Sequence, residues 1–201
     1  MNRNKRNRNK RNRNKGARKR WFLFFLLVFL AVMFVRSEWI NRTIYPVYFK
    51  AEIKQHASAY GQDPLLIAAI IRVESNFKED AVSPKGALGI MQLMPDTAAW
   101  ILQKETNFKA LTVRDAGSRA DTGIRLGTWY VKELERQFGD HLPAVLAAYN
   151  AGPNRVKQWL SDQVWDGSEQ TIDQIPYGET RQYVHRVLYY YHKYQKIYDS
   201  L

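Results

Sequence analysis

The 201-residue chain has no cysteine, which excludes disulfide staples, thiolate metal sites and a cysteine nucleophile together. Its four histidines, His56, His141, His185 and His192, form no ligand cluster; only the last two, seven residues apart, share a helical face, and neither a metal nor an organic cofactor is expected. No glycine-rich phosphate loop occurs. Acidic residues are missing from the first 20 positions, and so are aromatic ones, since the first aromatic is Trp21. A nucleic-acid role for that stretch would need base-stacking aromatics among its cations, so no nucleic-acid partner is expected. No apolar run exceeds the 15 residues from Trp21 to Val35, short of the about 20 that a straight bilayer-spanning helix takes.

What is present begins with charge. Residues 1–20 hold 11 Lys or Arg and 6 Asn in a repeating Asn-Arg-Asn-Lys pattern, too polar to fold alone. Removing those 11 charges from the net +12 leaves +1 on the remainder, with 20 basic and 19 acidic residues, so the basicity is local. Trp21 to Val35 follows at once. A signal-peptide core and an uncleaved anchor both fit that length, but Arg36-Ser37-Glu38-Trp39 offers no small-x-small cleavage site. The expectation is a basic cytoplasmic tail at 1–20, a transmembrane anchor at 21–40 lengthened by snorkelling arginines and by Trp39 and Ile40, and an extracytoplasmic domain at 41–201. The tail doubles as a topology signal and, near anionic lipid, as a membrane contact.

The chemistry-bearing stretch starts at Glu74. Pro64 to Val73 is apolar almost all round except for Arg72, with Asp63 placed as an N-cap and Pro64 at the first turn. Three, four and seven residues before Glu74 stand Ile71, Ile70 and Ile67, so the carboxyl continues an apolar stripe that raises its pKa. A carboxylic acid kept protonated near neutral pH is what glycosidic cleavage needs, because the leaving sugar oxygen takes up a proton as the bond breaks. After it, Ser83-Pro84-Lys85-Gly86-Ala87-Leu88-Gly89-Ile90-Met91-Gln92-Leu93-Met94-Pro95 packs glycines and polar side chains too densely for an ordinary connection. Gly86 and Gly89 permit positive φ or close ligand approach, and Ser83 and Gln92 offer hydrogen bonds to sugar hydroxyls and acetamido groups.

These residues resemble the first motif of the lytic transglycosylases of glycoside hydrolase family 23. Two later blocks resemble its other elements in the required order: Ala147-Ala148-Tyr149-Asn150-Ala151-Gly152, and Pro176-Tyr177-Gly178-Glu179-Thr180-Arg181-Gln182-Tyr183-Val184. The resemblance implies that Glu74 is the single catalytic acid and base. It implies a sugar cleft lined by Ser83, Gln92, Met94, Tyr149, Asn150, Glu179 and Tyr183, and no metal. One block departs from the family pattern: Gly123 stands where an Asn precedes Gly127 by four residues, and Tyr130-Val131 replaces Tyr-Leu. The expected substrate is peptidoglycan, cut at the MurNAc-GlcNAc β-1,4 bond with formation of a 1,6-anhydromuramoyl product. The alternatives are a muramidase that uses water, with Glu179 as second carboxylate, and a non-catalytic glycan-binding scaffold; partners in wall-synthesis or secretion machinery are not identified by the sequence.

Apolar spacing is helical nearly throughout, so the expected fold is mainly α, one lysozyme-like domain. Helices are expected over Tyr48–Tyr60, Pro64–Ser75, Asp96–Gln103, Arg119–Phe138, Leu142–Tyr149, Pro153–Leu160 and Glu179–Tyr198. Ser161–Pro176 reads as a loop, which could cover the cleft.

Overall fold

The computed structural model describes residues 19–34, 38–139, 141–199 and Leu201. The chain divides into two compact units, one ending at Pro46 and the other running Val47–Leu201. In the first, residues 19–34 form helix α1 and Glu38–Ile44 form α2. From Trp21 to Phe34 the α1 side chains are apolar and exposed, Trp21 at 62% and Phe34 at 63%. Among the described residues no helix is long and apolar enough to cross a membrane. Residues 1–18 of the expected tail and 35–37 of the expected anchor lie outside the described residues.

The second unit is helical, and its punctuation follows the sequence. Lys50–Tyr60 (α3) is closed by Gly61, whose φ of 66° lets its N–H turn back onto Ser58 and Ala57 carbonyls. Pro64–Glu74 (α4) starts where the Asp63 carboxylate accepts from Leu65 N–H at 2.8 Å with Pro64 in the first turn. Pro95–Lys104 (α5), Leu142–Ala151 (α8) and Pro153–Ser161 (α9) also begin with proline in the first turn. Ala120–Phe138 (α7) and Gly178–Ile197 (α10) are the long helices. The expected helices agree with these to within two residues at either end.

Three features of this unit were not anticipated, one of them a 3-10 turn over Thr106–Phe108 that buries Phe108. Val113–Ser118 (α6) is a short helix opened by a capping box, in which Thr112 Oγ1 accepts from Asp115 N–H and the Asp115 carboxylate accepts from Thr112 N–H. Within the expected loop, Glu169–Gln174 winds into a 3-10 turn that buries Ile172, so the segment is anchored by packing rather than being a plain connection.

α4 occupies the centre. Its residues Leu65 to Ile71 are all buried, because α10 packs along one side and α3 along another. α8 lies against both α7 and α10. α4 and α10 are joined at two places: Tyr191 Oη donates to Asp63 Oδ2 at 2.7 Å, and Tyr183 stands beside Glu74 at the other end. At about 25 cal/mol per Å² the burial of this central helix is the main local stabilisation, which lets its last residue be a poorly solvated acid. Between α4 and α5 the chain makes no regular element; isolated antiparallel bridges Val82–Leu88 and Leu88–Leu93 fold it into a tight loop.

Candidate active site

Glu74 ends α4 at a cleft of about 420 Å³. The wall opposite is the loop after α4, and three contacts hold that loop. The buried Ser75 Oγ donates to the Ile90 carbonyl at 2.7 Å. The Gln92 amide nitrogen donates to the Ala81 and Gly89 carbonyls at 2.9 and 2.8 Å. Tyr149 Oη donates to the Met91 carbonyl at 2.8 Å, so α8 grips the loop from the far side. Gly89, at φ 73°, would drive a Cβ into the Ala116 carbonyl; Gly127 on α7 would drive one into the Met91 side chain. Bare backbone at both places is what lets the loop lie against α6 and α7.

Burial pushes the Glu74 carboxyl up to about 7, opposed by the neighbouring Tyr183 hydroxyl and by the Arg186 guanidinium, which favour the ionised form. Tyr183 Oη is buried without a well-formed hydrogen bond among the described residues. Burial, with the Glu74 charge second, holds both Tyr149 and Tyr183 well above the usual tyrosine range, so both remain neutral donors. Glu74 is therefore protonated for a large fraction of the time at neutral pH, with the Tyr183 hydroxyl beside it. Such a group serves as a general acid, and as a base once the proton has left.

The other sequence-derived residues fall as follows. Ser83, Gln92, Met94, Tyr149, Asn150 and Glu179 all line the Glu74 cleft. Ser83 Oγ accepts from Ala87 N–H at 2.9 Å, which leaves its hydroxyl proton for a ligand. The Gln92 nitrogen is spent on the loop, so its free group is the carbonyl oxygen, an acceptor only. Met94 is exposed at 43% where α5 begins. Asn150 Oδ1 accepts from Thr180 Oγ1 at 2.8 Å, joining α8 to α10. Glu179 sits on the exposed rim in a 2.7 Å ion pair with Lys85. Tyr183 is not part of the cleft lining and reaches the site through Glu74.

Sequence reasoning missed Thr97, Lys85 and Tyr130 as lining residues. Tyr130 stacks obliquely on Tyr149, ring centroids 5.4 Å apart, and burial raises its hydroxyl to about 12. Its sequence signal was that it keeps the Tyr of the family's Tyr-Leu pair, in which only Val131 departs. Arg186 was missed as well, although it stands three residues after Tyr183 on the same helical face. Among the described residues no group of three or more His, Asp or Glu is disposed to hold a metal ion.

The chain is similar to known proteins in sequence and in fold. The profile of the transglycosylase SLT domain matches residues 51–172. The soluble lytic murein transglycosylase of Salmonella typhimurium is 38% identical over 125 residues, 61% of this chain and 19% of that protein. Membrane-bound lytic murein transglycosylase C of Actinobacillus pleuropneumoniae is 28% identical over 131 residues, 62% of this chain and 36% of its own length. The crystal structure of an inactive mutant of lytic transglycosylase Slt from Pseudomonas aeruginosa, a glutamate changed to glutamine, superposes with a TM-score of 0.68 at 37% identity. It covers 78% of this chain and 25% of that one. The chain thus spans about a fifth of the length of the Salmonella relative.

Proposed function

Because this chain belongs to the transglycosylase SLT domain family, we propose that it cleaves the MurNAc-GlcNAc β-1,4 bond of peptidoglycan and leaves a 1,6-anhydromuramoyl end. The observation that carries the reading is the half-buried Glu74 carboxyl, raised to about 7 in the cleft. Protonated Glu74 gives its proton to the bridging oxygen as the C1–O bond breaks, releasing the GlcNAc alcohol. The Glu74 carboxylate then takes the proton of the muramoyl C6 hydroxyl as that oxygen closes on C1. No water is consumed, and the acid is restored for the next turnover. A second carboxylate is not required: Glu179, the other acid of the cleft, is exposed and paired with Lys85. Ser83 and Gln92 bind sugar hydroxyl and acetamido groups from the loop, Met94 and Tyr149 pack on the ring, and Asn150 and Glu179 shape the wall. Tyr183 positions Glu74.

The run Trp21–Val35 anchors this unit in a membrane, with the basic tail on the cytoplasmic side. The support is the exposed apolar α1 and the 11 cations before residue 21, together with snorkelling ends that lengthen a 15-residue run. Extraction from membranes by alkaline carbonate would sink the anchor; retention until detergent is added supports it.

Mass spectrometry of peptidoglycan digested by the full-length protein, with Glu74→Gln alongside, tests the chemistry. Anhydromuramic ends abolished by the substitution are expected. Reducing ends would replace ring closure with attack by water, and a folded protein that binds glycan without cutting it would make this a scaffold.

A further inference from the structure

The Glu74 cleft has a neighbour across Thr97 and Tyr130. Thr97 and Tyr130, which line it, also line a second cavity of about 410 Å³ whose floor is Trp100. On α5, Asp96 and Thr97 precede Trp100 by four and three residues, so one helical face turns all three toward the same space; Asn154 of α9 faces them. The half-buried Trp100 ring is wedged against Trp129 and Tyr130, centroids 5.8 and 6.2 Å away, which fixes its orientation without covering it. Its indole N–H, and the side chains of Asp96, Thr97 and Asn154, make no hydrogen bond among the described residues. Trp129 next to it, by contrast, donates to Glu105 at 3.2 Å. A rigid aromatic face ringed by unspent donors and acceptors, in a concavity that shares two lining residues with the Glu74 cleft, suits the apolar C–H face and the hydroxyls of a pyranose. Charge narrows the choice: among the described residues Asp96 is the only carboxylate or cation lining the cavity, and it disfavours the anionic lactyl and peptide groups of a muramoyl unit.

We propose that this compartment binds an uncharged N-acetylglucosamine unit of the same strand, remote from the bond being cut, with Trp100 as its stacking platform. The inference rests on the peptidoglycan reading above. The test titrates the full-length Glu74→Gln protein with N-acetylglucosamine oligomers of two to six units by calorimetry. The ratio of long- to short-oligomer affinity should be about tenfold or more and should collapse toward one in Trp100→Ala. Trp100→Phe should keep most of it, and exposed Asn154→Ala should reduce it, which guards against a Trp100→Ala protein that merely misfolds. A ratio unchanged in Trp100→Ala and Asn154→Ala, while the unsubstituted protein still releases anhydro ends from peptidoglycan, overturns the compartment alone. Absence of oligomer binding together with absence of cleavage overturns the function reading and this inference with it.

Discussion

Ser75 and Ile90 are bound through a 2.7 Å hydrogen bond from hydroxyl to carbonyl, which fixes the loop carrying Gln92 to the residue that follows the acid. The bond is buried, so deleting the hydroxyl strands the Ile90 carbonyl. Ser75→Ala should cost about 1–3 kcal/mol by chemical denaturation and lower kcat more than it raises KM, since the loop loses its register against Glu74.

The pH dependence of kcat/KM reports the free enzyme. With Glu74 raised to about 7, activity should be near full below that pH and fall roughly tenfold per unit above it. A profile that declines only below pH 5 would remove Glu74 from the role of acid.

The same shift acts on stability. The folded protein holds the Glu74 proton more tightly than the unfolded chain does, so stability is lost as pH rises from the ordinary carboxylate range through about 7. Glu74→Gln abolishes that loss. The variant should be more stable than the parent above pH 7, by on the order of 3 kcal/mol at most, and the two melting curves should converge at pH 4.

Tyr183 favours the ionised form of Glu74, second only to burial among the influences on it and opposite in sign. Tyr183→Phe should therefore move the descending limb of the pH profile to higher pH. Because the Tyr183 hydroxyl has no well-formed bond of its own, the melting temperature should change little, a combination that a purely structural tyrosine would not give.

Lys85 and Glu179 are 71% and 69% exposed, so Lys85→Ala should change stability by less than about 1 kcal/mol. An effect on KM for glycan strands without one on folding would mark the pair as part of the substrate rim.

The parts of the fold legible in the sequence were those with local causes. Asp63-Pro64 announced α4, and three other helices carried proline at the start. α6 was overlooked although Thr112 and Asp115 carry a capping-box spacing, because the helix is a turn and a half and has only Ala116 buried. Glu74 was legible because an acid continuing an isoleucine stripe is followed at once by a loop dense in glycine and polar side chains, in an order that resembles the family's first motif. Thr97, Tyr130 and Trp100 were not, since their place at the cleft depends on how close α5 and α7 come to the loop. That approach depends in turn on a side chain missing at Gly127. Gln92 was recognised as polar and useful, but which end of its amide is free is decided by the Ala81 and Gly89 carbonyls alone.

The two tyrosines of α10 that meet α4 stand eight residues apart, while the acids they meet, Asp63 and Glu74, stand eleven apart. At 1.5 Å per residue those spans are about 12 and 16 Å, so the hydroxyls splay outward from two closely set stations on α10 to meet the more widely spaced acids. Sliding α10 by one turn, about 5.4 Å, would part both contacts in the same movement. Register is thus all or none: the proton donor sits against its tyrosine, or the whole helix pair has let go.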